Sequence, residues 1–201
     1  MITAGLTGSI AAGKSEVARL LSAAGIPVFD SDAEVHSLYT EKTTKDLVDK
    51  MFSDVIVEGE IDRQRLGKRV LNSPEDLRKL ESLIHPLVRK RRERFIAHWR
   101  KQDSPLVVLD IPLLFETGQE KELDYIIVVS VTENLQRKRT MARSGMTEQK
   151  LAGILERQMP DVEKRRRADF VIENSGSLEH LRTQVDALSS KLAELARNHK
   201  P

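Results

Sequence analysis

The chain has 201 residues, 39% hydrophobic and 32% charged, with a formal net charge of +2 at pH 7, which suits a globular protein rich in exposed helix and large enough for one core or a core with an inserted lobe. It contains no cysteine, which excludes disulfides, thiol catalysis and thiolate metal sites and fits a reducing compartment. No apolar run approaches a membrane span, no basic stretch followed by a long apolar one opens the chain, and so small a net charge gives no bulk electrostatic case for nucleic acid; the expectation is a cytoplasmic protein, a monomer or weak homo-oligomer, without membrane or nucleic-acid partners.

Ile2-Thr3-Ala4-Gly5-Leu6-Thr7 is short, apolar and partly β-branched, the pattern of a buried strand. Gly8-Ser9-Ile10-Ala11-Ala12-Gly13-Lys14-Ser15 then fits G-x-x-x-x-G-K-[ST], the phosphate-cradling P-loop. Val17, Leu20, Leu21 and Ala24 recur at helical spacing, and Gly25 stands where a helix should stop. Strand, glycine loop, helix is the order this motif requires. Backbone N–H groups left unpaired at a helix start can replace the hydration of phosphates. Gly8 and Gly13 let the main chain bend and approach them closely. Lys14 puts an ammonium on the β- and γ-phosphates, and the Ser15 hydroxyl can ligate Mg²⁺.

Ile26-Pro27-Val28-Phe29 reads as a second strand and leads directly into Asp30-Ser31-Asp32. Ligands of open parallel sheets bind beyond the carboxyl ends of strands. A carboxylate there can take a proton from an attacking hydroxyl or hold Mg²⁺ through water. It can equally cap the next helix. Both readings stand for Asp30, and the site is favoured for Asp32.

The interval from Phe29 to Leu106 is too long for one crossover. It holds a charged helical stretch over about 63–71 and a stronger one opened by Ser73 as N-cap, with Pro74 at the first helical position. Pro86 is expected to interrupt that helix at His85, with helix resuming through Trp99, so the insertion reads as a small helical lobe rather than sheet. His85 can pair with backbone freed at the break or contact a substrate.

Leu106-Val107-Val108-Leu109 is a third strand, ended by Asp110. An acid there can orient Mg²⁺ in the Walker-B manner or simply close a strand. Tyr125-Ile126-Ile127-Val128-Val129 is a fourth strand. A helical segment over about 133–167 follows and carries two basic clusters, Arg137-Lys138-Arg139 with Arg143, and Lys164-Arg165-Arg166-Arg167. Arg139 and Arg143 are four apart and share a helix face. They can neutralise a transferring phosphoryl group or form surface salt bridges. The clusters at 164–167 and at Arg89-Lys90-Arg91-Arg92-Glu93-Arg94 read as solvated helix faces, with contact to an anionic ligand as the other reading. Phe170-Val171-Ile172 is the fifth strand. Leu178, Leu181, Val185, Leu188, Leu192 and Leu195 mark a last helix, read as packed on the core, with a coiled-coil seam as the other reading. Near-continuous apolar strands separated by helices imply an α/β fold, a five-stranded parallel sheet covered on both faces.

The motifs together resemble the dephospho-CoA kinase family. The resemblance is carried by Gly5 to Ser15, Asp30-Ser31-Asp32, Gly59-Glu60-Ile61-Asp62-Arg63, His85-Pro86-Leu87-Val88, Pro112-Leu113-Leu114-Phe115-Glu116, Gln136 to Arg143, and Ala168-Asp169-Phe170-Val171-Ile172 with Asn174. It implies a P-loop NTPase fold of the nucleoside-monophosphate-kinase-like, three-layer kind. The parts would be a nucleotide-binding core at 1–30, 106–135 and 168–201, a helical acceptor domain at 31–105, and a lid at 136–167. It also implies transfer of the γ-phosphoryl of ATP to the ribose 3′-hydroxyl of dephospho-CoA. Gly8, Ala11, Ala12, Gly13, Lys14, Ser15, Glu16, Arg139 and Asn174 would serve ATP. Asp32, His85 and Arg143 would serve the acceptor, with Asp32 as general base and Lys14 and Arg139 as the other catalytic groups. Mg²⁺ would sit on Ser15 and, through water, on Asp110. Ser144 stands where the family usually has Asp, which bears on ion pairing within the lid. The alternative is another small-molecule P-loop kinase, acting on a nucleotide or sugar acid. A GTP switch lacks its Asn-Lys-x-Asp here, and a motor subunit lacks its Leu-Ser-Gly-Gly-Gln.

Overall fold

The computed structural model describes residues 1–198. Strand β1 (Ile2–Gly8) leads into α1 (Lys14–Ala23), and β2 (Val28–Asp30) into α2 (Ser31–Leu38). Helix α3 (Lys42–Met51), strands β3 (Ile56–Val57) and β4 (Glu60–Ile61), and helices α4 (Arg63–Asn72) and α5 (Pro74–Lys101) precede β5 (Leu106–Asp110). After β6 (Tyr125–Ser130) come α6 (Glu133–Met141), α7 (Glu148–Arg157), α8 (Asp161–Arg167), β7 (Phe170–Glu173) and α9 (Leu178–Asn198). The chain divides into two compact units, Met1–Phe29 with Ile96–Pro201, and Asp30–Phe95. Among the described residues, no helix is long and apolar enough to cross a membrane.

The larger unit is built on a five-stranded parallel sheet in the order β2-β5-β1-β6-β7. Alternation along β1 sends Ile2, Ala4 and Leu6 to one face, where they join Val108, Ile127, Val129 and Ile172. Val17 and Leu21 of α1 cover that face together with Leu181, Val185, Leu188 and Leu192 of α9. The leucine spacing of α9 is thus a core stripe from Leu181 onward, as expected, whereas Leu178 at its start is exposed. On the opposite face Gly5 leaves room for the side chains of Leu114 and Leu123, which would lie 2.6 and 2.4 Å from a Cβ there. The segment after β5 therefore lies flat against the sheet.

The smaller unit has its own core of Val48, Phe52, Val55, Ile61, Leu66, Leu80 and Ile84. Arg69 lies over the Phe52 ring, 4.9 Å from its centroid, and bonds Asp76 at 2.8 Å. Arg91 pairs with both Glu34 and Glu41, tying α5 to α2 and to the residue before α3.

Three expectations are corrected. Pro86 lies inside α5 without ending it. Leu80, Leu83, Ile84 and Val88 continue one apolar stripe across the proline into the same core, and packing outweighs one missing N–H. The lobe is not purely helical either, because β3 and β4 form an antiparallel hairpin. Glu58 (φ 50) and Gly59 (φ 80) both take left-handed conformations between them, as a two-residue type I′ turn requires. The segment over 133–167 is three helices, broken near Gly145 (φ 71) and at Pro160, which precedes α8. Ser73 does cap α5, its Oγ accepting from Asp76 N–H at 3.1 Å.

Candidate functional site

From β1 the chain crosses towards β2; from β5 it crosses towards β6, on the other side of β1. The crossovers diverge between β1 and β5, and such a switch point opens a crevice at the carboxyl ends of the strands. The glycine loop leaves β1 at this point, and Asp110 ends β5 in register with Leu6.

The loop is shaped residue by residue. A Cβ on Gly8 would stand 2.6 Å from the Val129 carbonyl oxygen of β6, so only glycine lets the chain leave the sheet so close to its neighbour. Ala11 (φ 60) and Gly13 (φ 91) are both left-handed, and Ala12 N–H closes a turn on Ser9 O at 3.1 Å. The N–H groups of Ala11, Gly13, Lys14 and Ser15 find no acceptor among the described residues. Four donors converging at a helix N-terminus make an anion nest.

Charged groups surround it. Lys14 is ion-paired with Asp110, whose side chain is 3% exposed. Arg139 of α6 reaches the loop: its Nη1 lies 3.8 Å from the position of a Gly13 Cβ. That nitrogen is buried and has no hydrogen-bond partner among the described residues. An unsatisfied guanidinium N–H is costly unless an anion meets it. Arg143, one turn on, is exposed and lines the same pocket of about 390 Å³ with Ala11, Gly13, Glu16 and Asn174. Glu16 itself bonds Arg19, which holds its carboxyl below the ordinary carboxylate value.

Asn174 is buried beneath the loop. Its Nδ2 donates to Ala12 O at 2.8 Å and its own N–H to Ser130 O at 2.8 Å. Gly13 is what admits it, since a Cβ there would fall 2.0 Å from Nδ2. Asn174 thus supports the loop backbone as well as lining the pocket. Two amides also hold the loop apex: Ile10 N–H donates to Gln158 Oε1 and Ile10 O accepts from Gln136 Nε2, both at 3.0 Å. Composition gave no signal for Gln158, because a neutral amide stands out in no charge or apolar pattern.

The smaller unit carries the remaining candidates. Asp30 is the N-cap of α2, accepting from Ala33 N–H at 2.9 Å, so of its two readings the cap is the one observed. Asp32, in the first turn of α2, is exposed and has no partner among the described residues. His85 is exposed on α5, and the helix has no break for it to pair with.

The basic clusters divide. Arg137 pairs with Glu148 at 2.9 Å, joining α6 to α7, so this segment has internal ion pairing without an acid at Ser144. Lys164 is not on a solvated face: it is fully buried, 2.8 Å from Glu116. Arg166 and Arg167 hydrogen-bond Glu163, and Arg165 pairs with Glu173. Among 89–94, Arg92 is buried while Arg89, Lys90 and Arg94 are exposed.

A family model described as Dephospho-CoA kinase matches residues 2–180. The chain belongs to the dephospho-CoA kinase family. The dephospho-CoA kinase of Mesorhizobium japonicum is 48% identical over 192 residues, covering 96% of this chain and 97% of that one. A solved structure of a Thermus thermophilus protein aligns with a TM-score of 0.80 at 39% identity, over 96% of this chain and 97% of that one. A dephospho-CoA kinase from Campylobacter jejuni aligns with a TM-score of 0.72 at 26% identity, over 98% of each chain. As a family member the chain is a P-loop kinase with a nucleotide substrate, which accounts for the nest and the cations around it.

Proposed function

We propose that this kinase transfers the γ-phosphoryl of ATP to the ribose 3′-hydroxyl of dephospho-CoA, giving CoA and ADP, in the last step of CoA synthesis. The carrying observation is the family match across residues 2–180, which spans the loop, Asp32, Arg139 and Asn174. The loop amides and Lys14 hold the β- and γ-phosphates, Lys14 exchanging Asp110 for phosphate oxygens. Arg139 meets charge developing on the transferred group. Asp32, unpartnered and exposed, accepts the hydroxyl proton. His85 and Arg143 serve the acceptor. The 31–105 stretch is the acceptor domain and 136–167 the lid, which excludes water that would hydrolyse ATP. The protein works in the cytoplasm.

Ser15 and Asp110 fit Mg²⁺. Ser15 is exposed at the start of α1, Asp110 ends β5 and is ion-paired with the neighbouring Lys14, and among the described residues no cluster of three or more His, Cys, Asp or Glu could hold a metal alone. A hydroxyl and one carboxylate suit an ion that keeps water and phosphate oxygens as its other ligands. When bound, Mg²⁺ supplies charge neutralisation at the β- and γ-oxygens.

Incubation with ATP, Mg²⁺ and dephospho-CoA should yield a product heavier by one phosphate in mass spectrometry, with no comparable ADP release on other nucleotides or sugar acids. Release with one of those acceptors and none with dephospho-CoA would overturn the assignment. Asp32→Asn should cut turnover by about two to three orders of magnitude while ATP affinity, read by calorimetry, stays near that of the unaltered protein. Unchanged turnover would remove Asp32 from the base role.

A further inference from the structure

Ile10 is held at both of its polar groups. Gln158 Oε1 accepts from its N–H and Gln136 Nε2 donates to its carbonyl, each at 3.0 Å. The two glutamines flank one excursion of the chain: Gln136 lies in α6, and Gln158 directly follows α7. Everything between them, 137–157, is therefore tied at both ends to one residue of the phosphate loop.

That placement bears on the chemistry. Gln136 and Arg139 are three apart on α6 and so project from neighbouring positions on one side of the helix. The Gln136 bond to Ile10 fixes the rotation and height of α6 where Arg139 Nη1 approaches Gly13. One turn on, Thr140 is fully buried and bonds back to Gln136 O at 2.8 Å. At the other end Met159 N–H donates to Glu116 Oε1 at 2.8 Å, which holds Gln158 against the segment after β5. Ile10 N–H is spent on Gln158 and is not among the free donors of the nest, so the clamp leaves the phosphate-binding amides untouched.

We propose that Gln136 and Gln158 are positioning residues, a two-point clamp on Ile10 that sets where α6 carries Arg139 relative to the phosphate loop. This rests on the phosphoryl-transfer reading above. The clamp acts on turnover more than on nucleotide affinity, because affinity comes from the nest and Lys14, whereas Arg139 acts on charge that develops during transfer.

The two bonds have opposite polarity, and that provides the test. An ionised carboxylate accepts but cannot donate. Gln158→Glu keeps its bond to Ile10 N–H, while Gln136→Glu loses its bond and sets a negative charge against a carbonyl. Both variants add one negative charge beside the same residue, so net charge is matched and the difference reports whether Ile10 meets the new carboxylate with a donor or with an acceptor. Gln136→Glu should lower kcat about tenfold or more with a smaller change in KM for ATP, since small misplacement of a catalytic group is costly. Gln158→Glu should stay within about threefold of the unaltered enzyme, as its hydrogen bond is retained.

Limited trypsin digestion gives a readout independent of any acceptor. Cleavage at Arg137, Lys138, Arg139, Arg143, Lys150 and Arg157 should quicken in Gln136→Glu and not in Gln158→Glu. If Gln136→Glu does not fold, Gln158→Leu against Gln158→Glu makes the same comparison at the other end. Equal losses in the two glutamate variants, or none in either, with matching digestion patterns, would overturn the clamp. If instead the unaltered protein fails to phosphorylate dephospho-CoA, the proposed function falls, and the digestion comparison still decides the clamp.

Discussion

Gly13 shows how much one residue can carry. Its φ of 91 is left-handed, and a Cβ there would fall 2.0 Å from Asn174 Nδ2. Gly13→Ala therefore meets two obstacles: about 1–3 kcal/mol of backbone strain and displacement of the side chain that braces Ala12 O. The expected outcome is a lower melting temperature with weakened ATP binding by calorimetry. Asn174→Ala removes the obstructing amide but also the brace. In a double-mutant cycle the combined loss should fall short of the sum, because both substitutions break the same contact. Additive losses would mean that the amide does not brace the loop.

Helix α8 carries its charges in two distinct ways. Glu163 is partly exposed, and hydrogen bonds from Arg166 and then Arg167 hold its carboxyl down to about 2 from an ordinary 4.5. A lowered value means the folded chain favours the ionised form. The contribution is complete above about 4.5 and is lost as pH falls towards about 2. Glu163→Gln should therefore lower the melting temperature slightly at neutral pH and leave it unchanged near the acid end, with salt shrinking the difference. Lys164, next in sequence, is fully buried against Glu116. Glu116→Gln still offers Met159 N–H an acceptor but leaves an ammonium without its counter-charge, a loss of about 3–5 kcal/mol in denaturant unfolding. Adding Lys164→Met should recover most of it, since no buried charge then remains. The sequence showed four consecutive cations at 164–167 and could not separate these roles. A basic run looks the same whether a sheet-bound segment covers one of its members or water reaches them all.

At the scale of the molecule, the sheet was legible because each of its strands is a near-continuous apolar run, and the loop because its glycines, lysine and serine have few other uses at that spacing. Elements that depend on distant packing were less legible. Nothing local in His85-Pro86 announces that Leu80, Leu83, Ile84 and Val88 belong to one core and carry the helix through. The Glu58-Gly59 hairpin was hidden because Glu seldom fills a left-handed turn position. The candidate residues divide in the same way: the nest followed from the motif, whereas the Asn174 brace and the Gln136 and Gln158 bonds join positions more than a hundred residues apart. That division has a thermodynamic consequence. The glycine loop, Lys14, Arg139 and Asn174 all belong to the unit of Met1–Phe29 and Ile96–Pro201. ATP that binds only the folded loop stabilises that unit by mass action, about 2.7 kcal/mol at a hundred times Kd. For a chain of this size each kcal/mol moves the melting temperature by about 2–4 °C, so scanning calorimetry with saturating ATP should show a rise of about 5–10 °C. If the two units melt separately, only the transition of the larger should move. Lys14→Ala removes the cation on the β- and γ-phosphates and its pair with Asp110 of β5, so the rise is read against the variant's own melting temperature without ATP, and most of it should be abolished. A rise of the same size in Lys14→Ala would mean that ATP stabilises the protein from somewhere other than the loop.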